Sequence, residues 1–535
     1  MNNIYKYLFF FLVLFYAIFI SQFGFENWDT GYITSFSWRI LNGQNPYSDF
    51  FYKFPPVSIY WHAFWLKILP ENGQYYFTRV VNYLLFGLQV FLTVTAFDKW
   101  FDFKSLKVSK WGIMCLGFTI SLLDFPAFAW NTIDGLLFAS VAFYLMSYRN
   151  QNFGRLLLIA IFCMLSALTK QSFYLVPLLF LAWILLENGF KKVLIYLAFV
   201  TILIGGYAYF IHEIAGFDNY LRLTTGETNL SGLIYVGFHE YHAFFSNIWI
   251  SIAVLIVTLS AVFLNRRKQP NILQNFAKVF PLVLFATSII MCFLNEFKIA
   301  SRIAFVALAL IVVCKFLFEK YSLKLLFPII VALGIAWSAS ISFGYSYPIF
   351  YSTTLIAGIV ALAYADIQTY ISAKYISIIA VLIFFFGFSN VYRLYREKPI
   401  PELTHSMGAI SPKLMFVKSS AENFEKHLEL KNLVSEYGPT FIVAPSIPAA
   451  HYLFNEQSTL PADWIINTEV NRQYDFFVKL ASDKKNYIFL EKSYLAGEEM
   501  SLPNKREHSE ISWQIYSTFQ KIDETKHFII YNGIK

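Results

Sequence analysis

Apolar runs of about 17–25 residues recur along most of this chain, and each is long enough to cross a bilayer. They fall at 7–25, 77–97, 111–128, 132–148, 156–171, 172–187, 193–212, 244–264, 279–295, 302–318, 324–343, 349–365 and 375–392. The expected fold is therefore a polytopic α-helical membrane protein with about thirteen transmembrane helices. Composition agrees: of 535 residues, 57% are hydrophobic and 14% charged, against roughly 25% charged in a soluble chain. The first run lacks a small-x-small cleavage site, so it reads as a retained helix and not as a signal peptide.

The loops orient the chain. With a cytoplasmic N-terminus, the cytoplasmic loops hold Lys99, Lys104, Lys107 and Lys110, then Arg149, Arg155, Lys191 and Lys192, then Arg266, Arg267, Lys268 and Lys278, and finally Lys320, Lys324 and Lys374. The opposite loops are longer in total but poorer in Lys and Arg, as the positive-inside rule requires. An odd number of spans then leaves the C-terminus outside. The net charge of +8 follows from this loop asymmetry and does not point to nucleic acid. Cys115, Cys163, Cys292 and Cys314 all sit inside apolar runs, which suits small buried hydrophobes, and their spacing suggests neither a metal knuckle nor a disulfide framework.

After residue 392 the composition becomes charged, with ordinary soluble patterning. Residues 421–437 have the pattern of an amphipathic helix, and 440–444 (TFIVA), 486–490 (NYIFL) and 527–531 (HFIIY) that of short strands. Two domains are expected: a transmembrane domain over 1–392, with an external loop at 26–76, and an extracytoplasmic α/β domain over 393–535.

The first external loop begins FENWDTGYITSFSWRILNGQNPYSDFFYKFPP, residues 25–56. A plain connector needs none of its Glu26, Asp29, Asp49 and Lys53. Residues 32–41 and 57–69 are predicted to be helical, with aromatics on most faces, as in helices lying in the membrane interface. GQNPYSDF and KFPP break the chain between them.

The order of a membrane helix, WDTGY, LNGQNPYSDFFYKFPPVSIYW, and then a helix opening FTRVVNYLLFG resembles the first external loop of the GT-C membrane glycosyltransferases. The similar branch is that of the bacterial protein O-mannosyltransferases and lipid A aminoarabinose transferases (family 39/83-like). LTKQSFYLVP at 168–177 and APSIPAAHYLFNEQSTLPADW at 444–464 also resemble stretches of that branch. In one respect this chain departs from it: Phe54 stands directly before the paired prolines, where several relatives have lysine, and Lys53 is one position earlier.

The resemblance implies an enzyme that moves a sugar from a polyprenyl-phosphate donor to an acceptor hydroxyl on a glycan, lipid or protein. The work is done at the outer face of the inner or plasma membrane, among membrane lipids and without nucleic acid. Such chemistry needs a carboxylate to take the acceptor proton and cations to hold the leaving phosphate. Attack opposite the phosphate inverts the anomeric centre. Asp29 takes the place of the family's loop acid, although a carboxylate at that position is also well suited to cap the following helix. Glu26, Asp124 and Asp134 are candidate assisting acids.

Lys170 stands out without any resemblance. A lysine within a nearly continuous apolar stretch costs about 2.5–3.5 kcal/mol unless it is paired or reaches water. A contact to the donor phosphate or to Asp124 or Asp134 would account for it. So would snorkelling to the interface. Lys53, Arg222, Lys298 and Arg302 are further candidate phosphate ligands. His239, Glu240 and His242 (GFHEYHAFF) could hold a divalent ion such as Mg or Mn, or could simply be polar residues at the interface. No P-loop or dinucleotide-binding glycine pattern is present. An O-antigen ligase or polymerase and a lipid-linked glycan flippase share parts of this layout. The first usually carries arginines in a large late external loop. The second needs charges at mid-bilayer and repeated halves.

Overall fold

The computed structural model describes residues 2–123, 126–225, 235, 272–294, 297–318, 322–341, 353–368, 372–392, 394, 396–471, 473–483, 485–493 and 509–534. Six helices there are long and apolar enough to cross a membrane: Asn3–Gln22, Gln74–Phe101, Gln171–Asn188, Phe190–Ile214, Leu323–Ser340 and Ala373–Tyr392. Asn131–Met146, Phe153–Ala167, Val279–Met291 and Val306–Phe316 are apolar but shorter. The chain is thus a polytopic helical membrane protein. The span expected at 244–264 lies outside the described residues.

Helices are numbered in chain order. The N-terminal helix α1 (Asn2–Leu14) continues through a π turn and a 3-10 turn to Gln22. The external loop holds α2 (Asp29–Leu41) and α3 (Val57–Ile68). Then come α4 (Gln74–Phe101), α5 (Lys110–Ser121), α6 (Asn131–Met146), α7 (Phe153–Ala167), α8 (Leu175–Asn188), α9 (Phe190–Ile214) and the short α10 (Phe217–Thr224). These run back and forth, so the start of α6 and the α7–α8 turn lie at the same end as the first loop. The opposite end is basic and aromatic. There the Arg149 guanidinium lies 4.7 Å from the Trp100 ring centre, and the Lys99 ammonium 3.3 Å from that of Tyr148.

Two close approaches set the loop end. Gly135 in α6 packs onto the α7–α8 turn so tightly that a Cβ there would lie 2.5 Å from the Phe173 ring and 2.7 Å from the Thr169 hydroxyl. Gly31 in α2 meets Ala449 in the same manner, its Cβ position lying 3.1 Å from that of Ala449. Arg79, buried in α4, donates to the carbonyls of Ser21, Phe23 and Gly24 at 3.2, 2.8 and 2.8 Å. It thereby supplies donors to backbone acceptors that the first helix leaves open where it ends.

The C-terminal segment builds a four-stranded mixed sheet. In addition to a small pair, β1 (His405–Ser406) and β2 (Lys418–Ser419), it contains β3 (Phe441–Ala444), β4 (Tyr487–Glu491), β5 (Phe519–Glu524) and β6 (Phe528–Ile534) in the order β3-β4-β6-β5. β3 runs parallel to β4, with Phe441 opposite Tyr487, and the other pairs are antiparallel. Side chains alternate between faces. Phe441, Val443, Phe489, Phe528 and Ile530 pack with Leu430 and Leu433 of the helix Ala421–Tyr437. Ile442, Ala444, Ile488, Leu490, Ile529 and Tyr531 share a core with Tyr32, Ile33, Phe36, Phe50 and Tyr52 of the first loop.

That second face covers α2. The aromatic pattern of α2 suggests a helix lying in the membrane interface. In the structure Thr30 to Ser37 and Arg39 are buried, because the loop is a layer between the helices and the sheet. α3 is more open, with Phe64 and Ile68 52% and 56% exposed.

Candidate active site

The first turn of α2 presents backbone N–H groups that the helix itself cannot satisfy. Glu26 satisfies them: its carboxylate accepts from the amides of Trp28, Asp29 and Thr30 at 2.9, 3.0 and 2.8 Å. The capping role thus belongs to Glu26, and Asp29 occupies the first helical position beside it. Arg396, just beyond the apolar helix that ends at Tyr392, brings a guanidinium nitrogen to 3.5 Å from Asp29 Oδ2 and 3.6 Å from Glu26 Oε1. Burial and the neighbouring Asp29 push the Glu26 carboxyl above its ordinary range, against Arg396 and the amides, which pull it down.

Lys170 sits in the turn between α7 and α8 and is 4% exposed. Two hydrogen bonds hold the first loop against this turn: the Val57 amide donates to the Leu168 carbonyl at 3.1 Å, and the Gln171 side-chain Nε2 to the Lys53 carbonyl at 2.7 Å. Lys53 and Lys170 are thereby both brought to Phe54, whose ring centre lies 5.3 Å from the Lys53 ammonium and 6.0 Å from the Lys170 ammonium. Phe54, directly before the paired prolines, therefore stands against two lysines.

The two lysines differ in their partners. Lys53 pairs with Glu469, a residue of the C-terminal segment. Lys170 donates to the Thr132 hydroxyl at 3.3 Å and forms no ion pair among the described residues. Burial and Lys53 pull its ammonium down to about 7, while Asp29 opposes them. Asp134, a candidate partner of Lys170 by its place in the sequence, is instead engaged by His62 of α3, whose Nε2 lies 3.0 Å from Oδ2 and 3.2 Å from Oδ1. The pair is buried, with side chains 1% and 3% exposed.

Several buried polar atoms on the same segments have no hydrogen-bond partner among the described residues. They are Asn27 Oδ1, the Tyr52 hydroxyl, both ends of the Asn131 amide, Ser172 Oγ and Trp464 Nε1. Each such atom costs about 1–3 kcal/mol if it stays unsatisfied. Asn27 and Tyr52 share the first loop with Asp29, Ser172 follows Lys170, Asn131 precedes Thr132 and Trp464 packs on Trp28, which fits a site where water or a ligand completes the bonding. Trp464 packs 6.3 Å from Trp28, ring centre to ring centre, beside Asp29.

Arg222 in α10 donates to Asn219 at 3.2 Å and lies 6.0 Å from the Phe51 ring centre. Asp124, His239, Glu240 and His242 lie outside the described residues, as do the side chains of Lys298 and Arg302. Among the described residues no group of three or more His, Cys, Asp and Glu gathers as a metal site. The carboxylates of Glu26 and Asp29 face a guanidinium.

Sequence reasoning missed His62, Arg396, Trp464 and Glu469. Of these only His62 carried a local signal, as a lone histidine in the aromatic stretch VSIYWHAFWLKIL.

No family model and no curated protein sequence matches the chain. The chain is similar to solved structures of ArnT from Cupriavidus metallidurans. The crystal structure bound to undecaprenyl phosphate is 11% identical, covers 99% of this chain and 97% of that chain, and has a TM-score of 0.41. The apo crystal structure is 11% identical, covers 99% and 98%, and has a TM-score of 0.43.

Proposed function

We propose that this chain is an integral membrane glycosyltransferase of GT-C type. It would move a sugar from a polyprenyl-phosphate donor to an acceptor hydroxyl at the outer face of the membrane, with inversion. The observation that carries the reading is Lys170: a buried lysine with a hydroxyl as its partner, a second lysine at the same aromatic ring, and a carboxylate, Asp29, close enough to influence its charge. Among the described residues Lys170 forms no ion pair, and a buried cation so placed is stabilised by an anion from outside. A donor phosphate supplies that anion, and a nearby carboxylate supplies the base. The aromatic and basic opposite end fits the cytoplasmic side.

In the reaction Asp29 accepts the proton of the attacking hydroxyl. The hydroxyl oxygen bonds to the anomeric carbon as the bond from that carbon to the phosphate oxygen breaks. Lys170 holds the charge gathering on the departing phosphate, and Lys53 joins it by exchanging Glu469 for the phosphate. Phosphate leaves well without a general acid, so Glu26 can remain a helix cap. Asp134, paired with His62, orients the start of α6, whose Thr132 hydroxyl meets Lys170.

The test is release of free polyprenyl phosphate from a panel of polyprenyl-phosphate sugars, using purified protein in nanodiscs with mixed lipid, glycan and peptide acceptors. Acceptor-dependent release is expected, reduced about 10²–10⁴-fold in Asp29→Asn, the usual contribution of a general base. Equal release by both proteins would remove Asp29 from the chemistry.

A further inference from the structure

Arg396 is far in sequence from the loop acid, yet the fold delivers it to that acid. Its guanidinium lies 4.4 Å from the centre of the Trp28 ring, an arrangement that favours a cation. From this seat it reaches Asp29 at 3.5 Å and Glu26 at 3.6 Å. Its backbone adopts φ 54°, a left-handed conformation that side-chain-bearing residues rarely take unless the surroundings impose it. The next residue, Glu397, also binds the first loop. Its carboxylate accepts from the Phe25 amide at 3.0 Å and from Asn423 at 3.1 Å, and Asn423 donates in turn to the Phe25 carbonyl at 3.2 Å. Two consecutive side chains of this segment are therefore anchored on the loop that carries the acid.

Glu26 and Asp29 are neighbouring carboxylates, and like charges oppose ionisation of both. Glu26 is balanced by three backbone amides. Asp29 must be ionised to act as a base, and a guanidinium stays charged over the whole working pH range. We propose that Arg396 is a positioning residue for Asp29: it keeps the base ionised and aims its carboxylate, so that the C-terminal segment completes the active site. This proposal rests on the reading of Asp29 as the base.

The charged groups arranged around Asp29 among the described residues are Glu26 on its own loop, Arg396 on the C-terminal segment, and Lys170 on the α7–α8 turn, with Lys53 beyond it. Of these cations, Arg396 makes the ion pair with the carboxylate. Removing it should make Asp29 easier to protonate, so the acid side of the activity profile should move to higher pH.

The experiment compares wild type, Arg396→Gln, Arg396→Lys, Trp28→Leu and Asp29→Asn in nanodiscs, following acceptor-dependent release of polyprenyl phosphate from pH 5 to 9. In Arg396→Gln the acid limb should rise by about one pH unit, so that release on that limb falls about tenfold. Arg396→Lys, which keeps the charge, should leave the limb near its wild-type position. Trp28→Leu loosens the seat of the guanidinium and should shift the limb in the same direction by less. An acid limb that stays in place in Arg396→Gln, or a loss uniform across pH, would overturn the proposal. If Arg396→Gln does not fold, an unmoved limb in Trp28→Leu overturns it. Full release by Asp29→Asn would instead overturn the reading of Asp29 as the base.

Discussion

Two buried cations in this molecule have opposite surroundings. Arg39, 2% exposed, is provided for on every side. It donates to Gln44 at 2.6 Å, to both oxygens of Asp463 at 3.2 and 3.3 Å, and to the Leu460 carbonyl at 3.1 Å. Asp463 also accepts from Ser35 at 2.6 Å, and Arg39 holds its carboxyl below the ordinary range against the cost of burial. Lys170 is buried to nearly the same degree and has the Thr132 hydroxyl. The first arrangement closes the seam between the loop helix α2 and the C-terminal segment. The second has no ion-pair partner among the described residues. Burial alone does not separate structure from function; the completeness of the bonding around the buried group does.

The largest expected effect tests the closed cation. Arg39→Met leaves Asp463 buried without its partner and should cost about 3–5 kcal/mol of stability, read by chemical or thermal denaturation. Arg39→Met combined with Asp463→Leu should recover most of that loss. If the single variant melts like wild type, the seam is not held by this pair.

Next comes the open cation. Lys170→Met should reduce donor-dependent turnover by about 10²–10³-fold, as loss of a preorganised charge at a reacting centre does. Its melting should be unchanged or raised, because an incompletely satisfied buried charge has been removed. A large loss of stability in Lys170→Met would make Lys170 a second Arg39 and erase the comparison.

A smaller effect concerns how the open cation is placed. Gly135→Ala drives a methyl into Phe173 and Thr169, on either side of the Lys170 turn. It should cost about 1–3 kcal/mol by overpacking and should weaken donor affinity more than the melting shift implies. Affinity and melting that both stay at wild-type levels would show that the turn yields freely. The smallest effect is at an exposed pair. Lys526 lies 2.6 Å from Glu425, with side chains 69% and 53% exposed. Lys526→Ala should leave both melting and turnover as they are, because solvent screens such pairs.

Much of this could be read from the sequence. The apolar runs at 77–97 and 193–212 became α4 and α9, and the helix at 421–437 and the strands at 440–444, 486–490 and 527–531 lie where the pattern put them. Local periodicity is sufficient for such elements. Strand β5, FQKIDE, escaped because a largely exposed edge strand has little apolar alternation to show. Lys170 was legible because a lysine in an apolar stretch breaks a local rule. Arg396 beside Asp29, Asp463 beside Arg39 and Glu469 beside Lys53 were not legible. Each pair joins residues hundreds of positions apart, and each half resembles an ordinary loop charge. The cover over α2 was not legible for the same reason: the sheet that packs on it lies near the other end of the chain.

The most direct measurement of the central claim, that Lys170 awaits the donor phosphate, is the affinity of the nanodisc-embedded protein for polyprenyl phosphate at pH 6 and pH 9. With its ammonium at about 7, free Lys170 is charged at the lower pH and almost entirely neutral at the higher. Wild-type affinity should therefore fall roughly 10–100-fold between them, in proportion to the charged fraction. Lys170→Arg, charged throughout, reports the lipid's own titration and should show no such fall. Parallel curves for the two proteins would contradict the claim.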